Sequence, residues 1–137
     1  MWRIKVFKKT IRLFANFSSF FYLCTQKLYK TNMEVTFNEE YLKKLYTDGD
    51  TGIKKLRFQP QIVRGYQKAV KYLIQAKCKE DLFPFKSLHF EALHGDKEGR
   101  YSVKANDQYR VEFTLTETED KPIVTICNIM ELSNHYK

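Results

Sequence analysis

From residue 33 onward the hydrophobic positions change period several times. Glu34–Phe37 alternates and carries β-branched residues, which reads as a short strand. Asn38 then predicts a helix N-cap, with Glu39 and Glu40 in a first turn whose dipole favours acids. Tyr41, Leu42, Leu45 and Tyr46 recur at helical spacing until Asp48-Gly49-Asp50 ends the element. A second helix is predicted from Pro60 to about Lys79, with Ile62, Val63, Tyr66, Ala69, Val70, Leu73 and Ile74 in one stripe. Lys68, Lys71, Lys77 and Lys79 fall off that stripe and read as a solvated face. Asp81–Phe85 is irregular, and Leu88–Gly99 reads as loop with room for a short strand. The period then drops to two: Tyr101, Val103 and Ala105 alternate with polar neighbours, and so do Tyr109, Val111, Phe113 and Leu115. Glu117–Lys121 is a polar turn, and Ile123–Met130 is apolar on both faces, as a central strand is.

Strand, two helices and three strands in that order make an α+β domain with a small antiparallel meander. A length of 137 residues fits one such domain. The formal net charge of +8 suggests a nucleic-acid binder until its location is considered. Residues 1–32 hold Arg3, Lys5, Lys8, Lys9, Arg12, Lys27 and Lys30 and no acid. Residues 33–137 hold the other 17 basic groups against all 16 acidic ones, a net of +1. Bulk charge therefore argues nothing for the domain, and local placement has to.

Residues 13–24 form a short apolar run after Lys8, Lys9 and Arg12, the outline of a signal peptide without a small-residue cleavage site. The run is also shorter than the roughly 20 residues that span a bilayer. The expectation is that residues 1–32 are a basic, apolar extension, disordered or the product of a start placed too far upstream at Met1, and that the domain is 33–137. A true extension and a signal or anchor are the alternatives. Cys24, Cys78 and Cys127 form neither a disulfide framework nor a zinc motif, which points to a reducing cytoplasm.

The hairpin register can be read from the alternation. Keeping both apolar sets on one face puts Ala105 opposite Tyr109, with Asn106-Asp107-Gln108 as the loop, where Asn or Asp can take the left-handed position. Lys104 then lies directly opposite Arg110 on the polar face. Facing like charges destabilise a ladder unless an anion sits between them, and a guanidinium fork beside an ammonium suits a phosphate. The alternative is that the two splay apart and pair with Glu112 or the Glu117–Asp120 cluster. His135 sits near the C-terminus beside Tyr136 and is either a proton shuttle or an exposed tail residue. His94, next to Gly95, can approach a phosphate, while His89 reads as packed or solvated.

The segment Leu93-His94-Gly95, then Tyr101-Ser102-Val103-Lys104, then Tyr109-Arg110-Val111-Glu112-Phe113 resembles the RelE/ParE toxin superfamily. It is most similar to the HigB branch, whose pattern is L-x-G, a spacer, aromatic-Ser-Ile-Arg, then aromatic-Arg-Ile-x-Phe. The closing Glu131-Leu132-Ser133-Asn134-His135-Tyr136-Lys137 is similar to the tail of a group of such toxins. The likeness covers about residues 33–137. It implies a small sheet with the two helices packed on one face and the RNA site on the other. It further implies a ribosome-dependent mRNA endonuclease, cytoplasmic and bacterial, without metal or cofactor. The ribose 2′-hydroxyl would attack phosphorus. Its partners would be the ribosome, mRNA and a neighbouring-gene antitoxin, often a helix-turn-helix protein, and no membrane.

Carried onto this chain, the resemblance makes Arg110 the phosphate-binding arginine and His135 the general acid or base, with Tyr136 assisting. Lys104 would share the phosphate charge, and Arg100 and His94 would hold flanking backbone. The chain departs from the branch in having Lys104 for arginine, His94 for lysine or arginine, and Ser133-Asn134-His135 for Asp-Tyr-His. Two other functions fit the same fold: a ParE-like gyrase poison without nuclease activity, and a degenerate toxin that only binds its antitoxin.

Overall fold

The computed structural model describes residues 32–119 and 124–135. The fold belongs to the unit Thr31–Lys137. The expectations for residues 1–31 and for Tyr136 lie outside the described residues. The elements are β1 (Glu34–Phe37), α1 (Glu40–Thr47), α2 (Pro60–Gln75), β2 (Glu91–Ala92), β3 (Arg100–Lys104), β4 (Tyr109–Glu117) and β5 (Thr125–Asn134). This is an α+β fold with one five-stranded sheet in the order β1-β5-β4-β3-β2.

The sheet is mixed. β2 through β5 are antiparallel neighbours, whereas β1 joins β5 in parallel, Val35 beside Cys127 and Phe37 beside Ile129. The expected meander holds for the hairpin strands and misses this edge. Two helices separate β1 from the rest, so the chain returns to β1 as a crossover and not as a hairpin. The two-residue strand β2 adds the other edge.

Local chemistry shifts several element ends. The N-cap of α1 is Glu39, not Asn38, and it makes no side-chain capping bond; the Asn38 amide donates to the Glu39 carboxylate at 3.4 Å instead. Pro60 opens α2, where its missing N–H is no loss. That helix stops at Gln75, earlier than the periodicity predicts. The Ala76 carbonyl accepts the Met33 N–H at 2.8 Å, the Lys77 N–H donates to the Asp81 carboxylate at 2.9 Å, and Lys79–Leu82 forms a separate 3-10 turn. In the hairpin loop no residue is left-handed. The Asn106 side chain makes the turn by accepting the Gln108 and Tyr109 N–H groups at 3.0 and 2.7 Å.

One face of the sheet carries the core. Val103, Val111, Phe113, Cys127 and Ile129 are fully buried, against Leu42, Tyr66, Val70 and Leu73 of the two helices. Tyr66 donates its hydroxyl to the Leu42 carbonyl at 2.9 Å, so the polar end of a buried ring is satisfied and the helices are tied together. Gly65 of α2 lies against the hairpin: a Cβ there would stand 2.1 Å from the Ala105 carbonyl oxygen. Among the described residues no helix is long and apolar enough to cross a membrane.

Candidate functional site

The other face of β3, β4 and β5 forms a groove of about 210 Å³, lined by residues that include Ser102, Arg110, Glu112, Ser133 and His135. Two pairings put these side chains together. Ser102 faces Glu112 across β3–β4, and Arg110 faces Ser133 across β4–β5. The arrival of the tail depends on an irregularity. The β4–β5 register shifts between Glu112 and Phe113, so Glu112 pairs with Glu131 while Phe113 pairs with Ile129, and Met130 is the extra residue. Up to there the buried residues of β5 are Thr125, Cys127 and Ile129; past it the buried one is Leu132. A bulge of one residue exchanges the two faces of a strand. It turns Leu132 inward and sends Glu131, Ser133 and then His135 to the groove side. Unbroken alternation from Ile129 would have pointed all three into the core. The His135 N–H donates to the Gln108 carbonyl at 2.7 Å, which ties the tail to the hairpin loop just before Arg110.

Arg110 is the best-held cation of the groove. Its guanidinium donates to both Glu91 carboxylate oxygens, at 3.1 and 3.4 Å, and to Ser102 Oγ at 3.2 Å. The His89 carbonyl lies 3.4 Å from the same guanidinium. His89 holds φ of +44°, a left-handed conformation that non-glycine residues rarely adopt. A bidentate carboxylate on a planar fork is the geometry a phosphate would take. Glu91 is half exposed on the edge strand β2, whereas only 16% of the Arg110 side chain is exposed. Exchange of Glu91 for a ligand anion therefore moves an edge residue and leaves the arginine in place.

A second carboxylate is built in. Glu112 is buried, accepts from Lys97 Nζ at 2.7 and 2.8 Å, and has Arg100 at 3.7 Å. Lys97 also reaches Glu131 at 3.9 Å, so one ammonium offsets the repulsion of the facing Glu112 and Glu131. This pairing pins the loop that carries Leu93 and Lys97 over the groove.

The sequence-predicted site residues do not all arrive at one place. Arg110 and His135 line the groove together. Arg100 reaches it through Glu112. His94 is exposed at the start of the 3-10 turn Gly95–Lys97 and is not among the lining residues. Lys104 does lie opposite Arg110, in the predicted register, but the two side chains separate. Lys104 Nζ pairs with Asp107 at 2.6 Å, and this bond holds the Asp107 carboxyl below its ordinary range. The residue lines a second, smaller hollow with Lys68 and Ser87. The like-charge pair is thus relieved by two carboxylates, Asp107 and Glu91, neither of which is Glu112 or in the Glu117–Asp120 cluster. Glu91 and Lys97 leave no mark in the sequence because their partners lie in other elements. Glu112 alone carried a signal, a charge flanked by Val111 and Phe113 at the centre of a buried strand.

A protein-family model described as the RelE-like toxin of type II toxin-antitoxin system HigB matches residues 35–126. The chain belongs to the HigB-like toxin family. Family membership makes it the toxin of a type II toxin-antitoxin pair, with a cognate antitoxin as partner. The matched span of this HigB-like toxin contains His94, Arg100, Lys104 and Arg110, and it ends before His135. Among solved structures the chain is similar to a YoeB/ParE toxin from Agrobacterium tumefaciens, at 11% identity and a TM-score of 0.46, covering 76% of this chain and 100% of that one. It is also similar to a point variant of the E. coli toxin YafQ, at 12% identity and a TM-score of 0.39, covering 77% of this chain and 96% of that one. No curated protein sequence matches the chain.

Proposed function

We propose that this toxin arrests growth as a cytoplasmic, ribosome-dependent mRNA endonuclease. The observation that carries the reading is the meeting of Arg110 and His135 in one groove, brought about by the β5 bulge, with a carboxylate already seated on the arginine. A phosphate of the mRNA displaces Glu91 from Arg110. The guanidinium, with its neighbours pre-arranged, then stabilises the charge that develops on the phosphoryl oxygens. The ribose 2′-hydroxyl loses its proton to Glu91 and its oxygen attacks the adjacent phosphorus. The P–O5′ bond breaks and the leaving oxygen takes a proton from His135. The products are a 2′,3′-cyclic phosphate and a free 5′-hydroxyl, and no metal enters the step. Tyr136 assists or stacks on a base. Lys104 and Arg100 contact the flanking backbone, as does His94. Residues 33–137 suffice for this activity and residues 1–32 are dispensable.

The test is induced expression in a bacterium with mapping of RNA 5′ ends. Growth arrest with cuts in translated mRNA is expected for the full chain and for residues 33–137. Arg110→Ala should remove about 100- to 1,000-fold of the activity, the usual loss of one transition-state donor. His135→Ala and Glu91→Gln should each lower it by about 100-fold or more. Arrest that leaves mRNA intact would replace this reading with a gyrase-type target, and full toxicity of both Arg110→Ala and His135→Ala would overturn the mechanism.

A further inference from the structure

The aromatic array of the core continues out to the surface. Phe113 stacks on Tyr101 at 6.1 Å between centroids, Tyr101 on Phe90 at 5.4 Å, and Phe90 meets Phe83 at 5.4 Å. Phe83 is 56% exposed. Two residues on, Phe85 leans against Tyr72 of α2 at 4.9 Å and is 44% exposed. The whole run Phe83-Pro84-Phe85-Lys86-Ser87 is exposed. Single exposed apolar side chains need no explanation, but two neighbouring rings on a supported aromatic base are the usual form of a binding anchor.

The same surface is where the domain keeps its positive charge. α2 carries Arg64, Lys68 and Lys71, all exposed, and has no acidic residue. From Pro60 to Leu88 there are six cations (Arg64, Lys68, Lys71, Lys77, Lys79, Lys86) and two acids (Glu80, Asp81), a net of +4 in a region whose full span 33–137 nets +1. Lys68 sits one helical turn from Tyr72, and Lys68 and Ser87 line one hollow, so rings and cations share a surface. α2 packs on the core face of the sheet, and the Arg110 groove opens on the other face.

We propose that the surface formed by Phe83, Phe85, Tyr72, Lys68, Lys71 and Lys86 docks an acidic segment of the cognate antitoxin, with apolar side chains of that segment seated on the two phenylalanines. The proposal rests on the family assignment and not on the cleavage chemistry. Charge complementarity selects an acidic partner. RNA offers stacking bases and phosphates to the same groups, but the groove of Arg110 opens on the other face of the sheet. The antitoxin therefore binds without having to enter the groove, and association is steered by a field that salt screens.

The test co-expresses the full chain with the antitoxin encoded beside it, and measures binding of the purified pair. Two double variants are used: Phe83→Ser with Phe85→Ser, and Lys68→Glu with Lys71→Glu, the latter at exposed helix positions that keep the fold. Both should still arrest growth, bind the antitoxin at least 10-fold more weakly, and escape neutralisation at antitoxin levels that silence the wild type. Wild-type affinity should fall as salt is raised, and the charge-reversed variant should lose that dependence. Neutralisation of the charge-reversed variant at wild-type levels overturns the proposal, and so does loss of growth arrest with antitoxin binding intact, which would assign the surface to RNA or the ribosome. A wild-type chain that the antitoxin neither binds nor silences would instead overturn the toxin reading itself.

Discussion

The two faces of the central sheet are made by the same strands and obey different rules. On β4, Val111 and Phe113 point to the helices and are fully buried, while Arg110 and Glu112 point the other way and are tied to Glu91 and Lys97. The helix-covered face is held by buried apolar area and close packing, which tolerate exchanges that conserve volume. The open face is held by ion pairs, each joining a more exposed partner to a more buried one, and such pairs contribute less to stability than the apolar core does. The first face sets whether the domain exists, and the second sets what it can bind. Mutations on the two faces should therefore separate into stability effects and activity effects.

The sharpest way to break that division is at its centre. Phe113→Ala removes the most enclosed ring of β4 and should cost about 3–5 kcal/mol, read as a drop in the urea midpoint with unchanged slope. Arg110 is its outward neighbour three positions before, and Arg110→Ala should cost only about 1 kcal/mol, the scale of a partly exposed ion pair, while abolishing growth arrest. If the arginine variant lost as much stability as the phenylalanine variant, the separation of the faces would be wrong.

A smaller effect tests how the layers are spaced. Gly65→Ala would ordinarily favour a helix, but its Cβ would meet the Ala105 carbonyl oxygen at 2.1 Å. Backbone cannot give as a side-chain end can, so α2 and the hairpin must part, at about 1–3 kcal/mol. The helix carries Lys68 and Lys71 and the hairpin carries Arg110, so antitoxin binding and growth arrest in this variant should fall together. A Gly65→Ala protein more stable than wild type would show that the contact is slack.

The smallest effect is an alkaline one confined to the buried face. Burial pushes the Cys127 thiol up to about 12 and raises the Tyr66 hydroxyl, with Tyr41 adding to the latter. Both groups hold their protons more tightly when folded. Their contribution is fully present below the unfolded values of 9.0 and 10.0 and is lost progressively as pH rises from there through the folded values, about 12 for the thiol. Stability should decline from about pH 9 upward, by about 1 kcal/mol at pH 10 from the thiol. Cys127→Val should flatten that first part of the decline in urea melts taken at several pH values, and an unchanged slope would place the loss elsewhere.

How far the site could be read from the chain follows the same division. Period-two alternation over Tyr101–Leu115 implies a face, a face implies a register, and the register puts Lys104 opposite Arg110, as found. Of the two arrangements the sequence left open for that pair, the side chains take the splayed one, each on a carboxylate of its own. Asp107 is near in sequence, but Glu91 comes from an edge strand of two residues with no periodicity to detect. Asn38 had the side chain of an N-cap and Glu39 took the position, since capping depends on backbone geometry at the end of β1 as much as on residue type.

By itself the sequence determined the order of elements, the two helix stripes, the hairpin register and the family motif, because each depends on residues close along the chain and on a period that burial enforces. Tertiary structure alone decided the parallel docking of β1, the Met130 bulge that brings His135 to the groove face, and the pairing of Arg110 with Glu91 and of Glu112 with Lys97. These join segments whose meeting is set by how layers pack and strands twist, and local alternation carries no record of that.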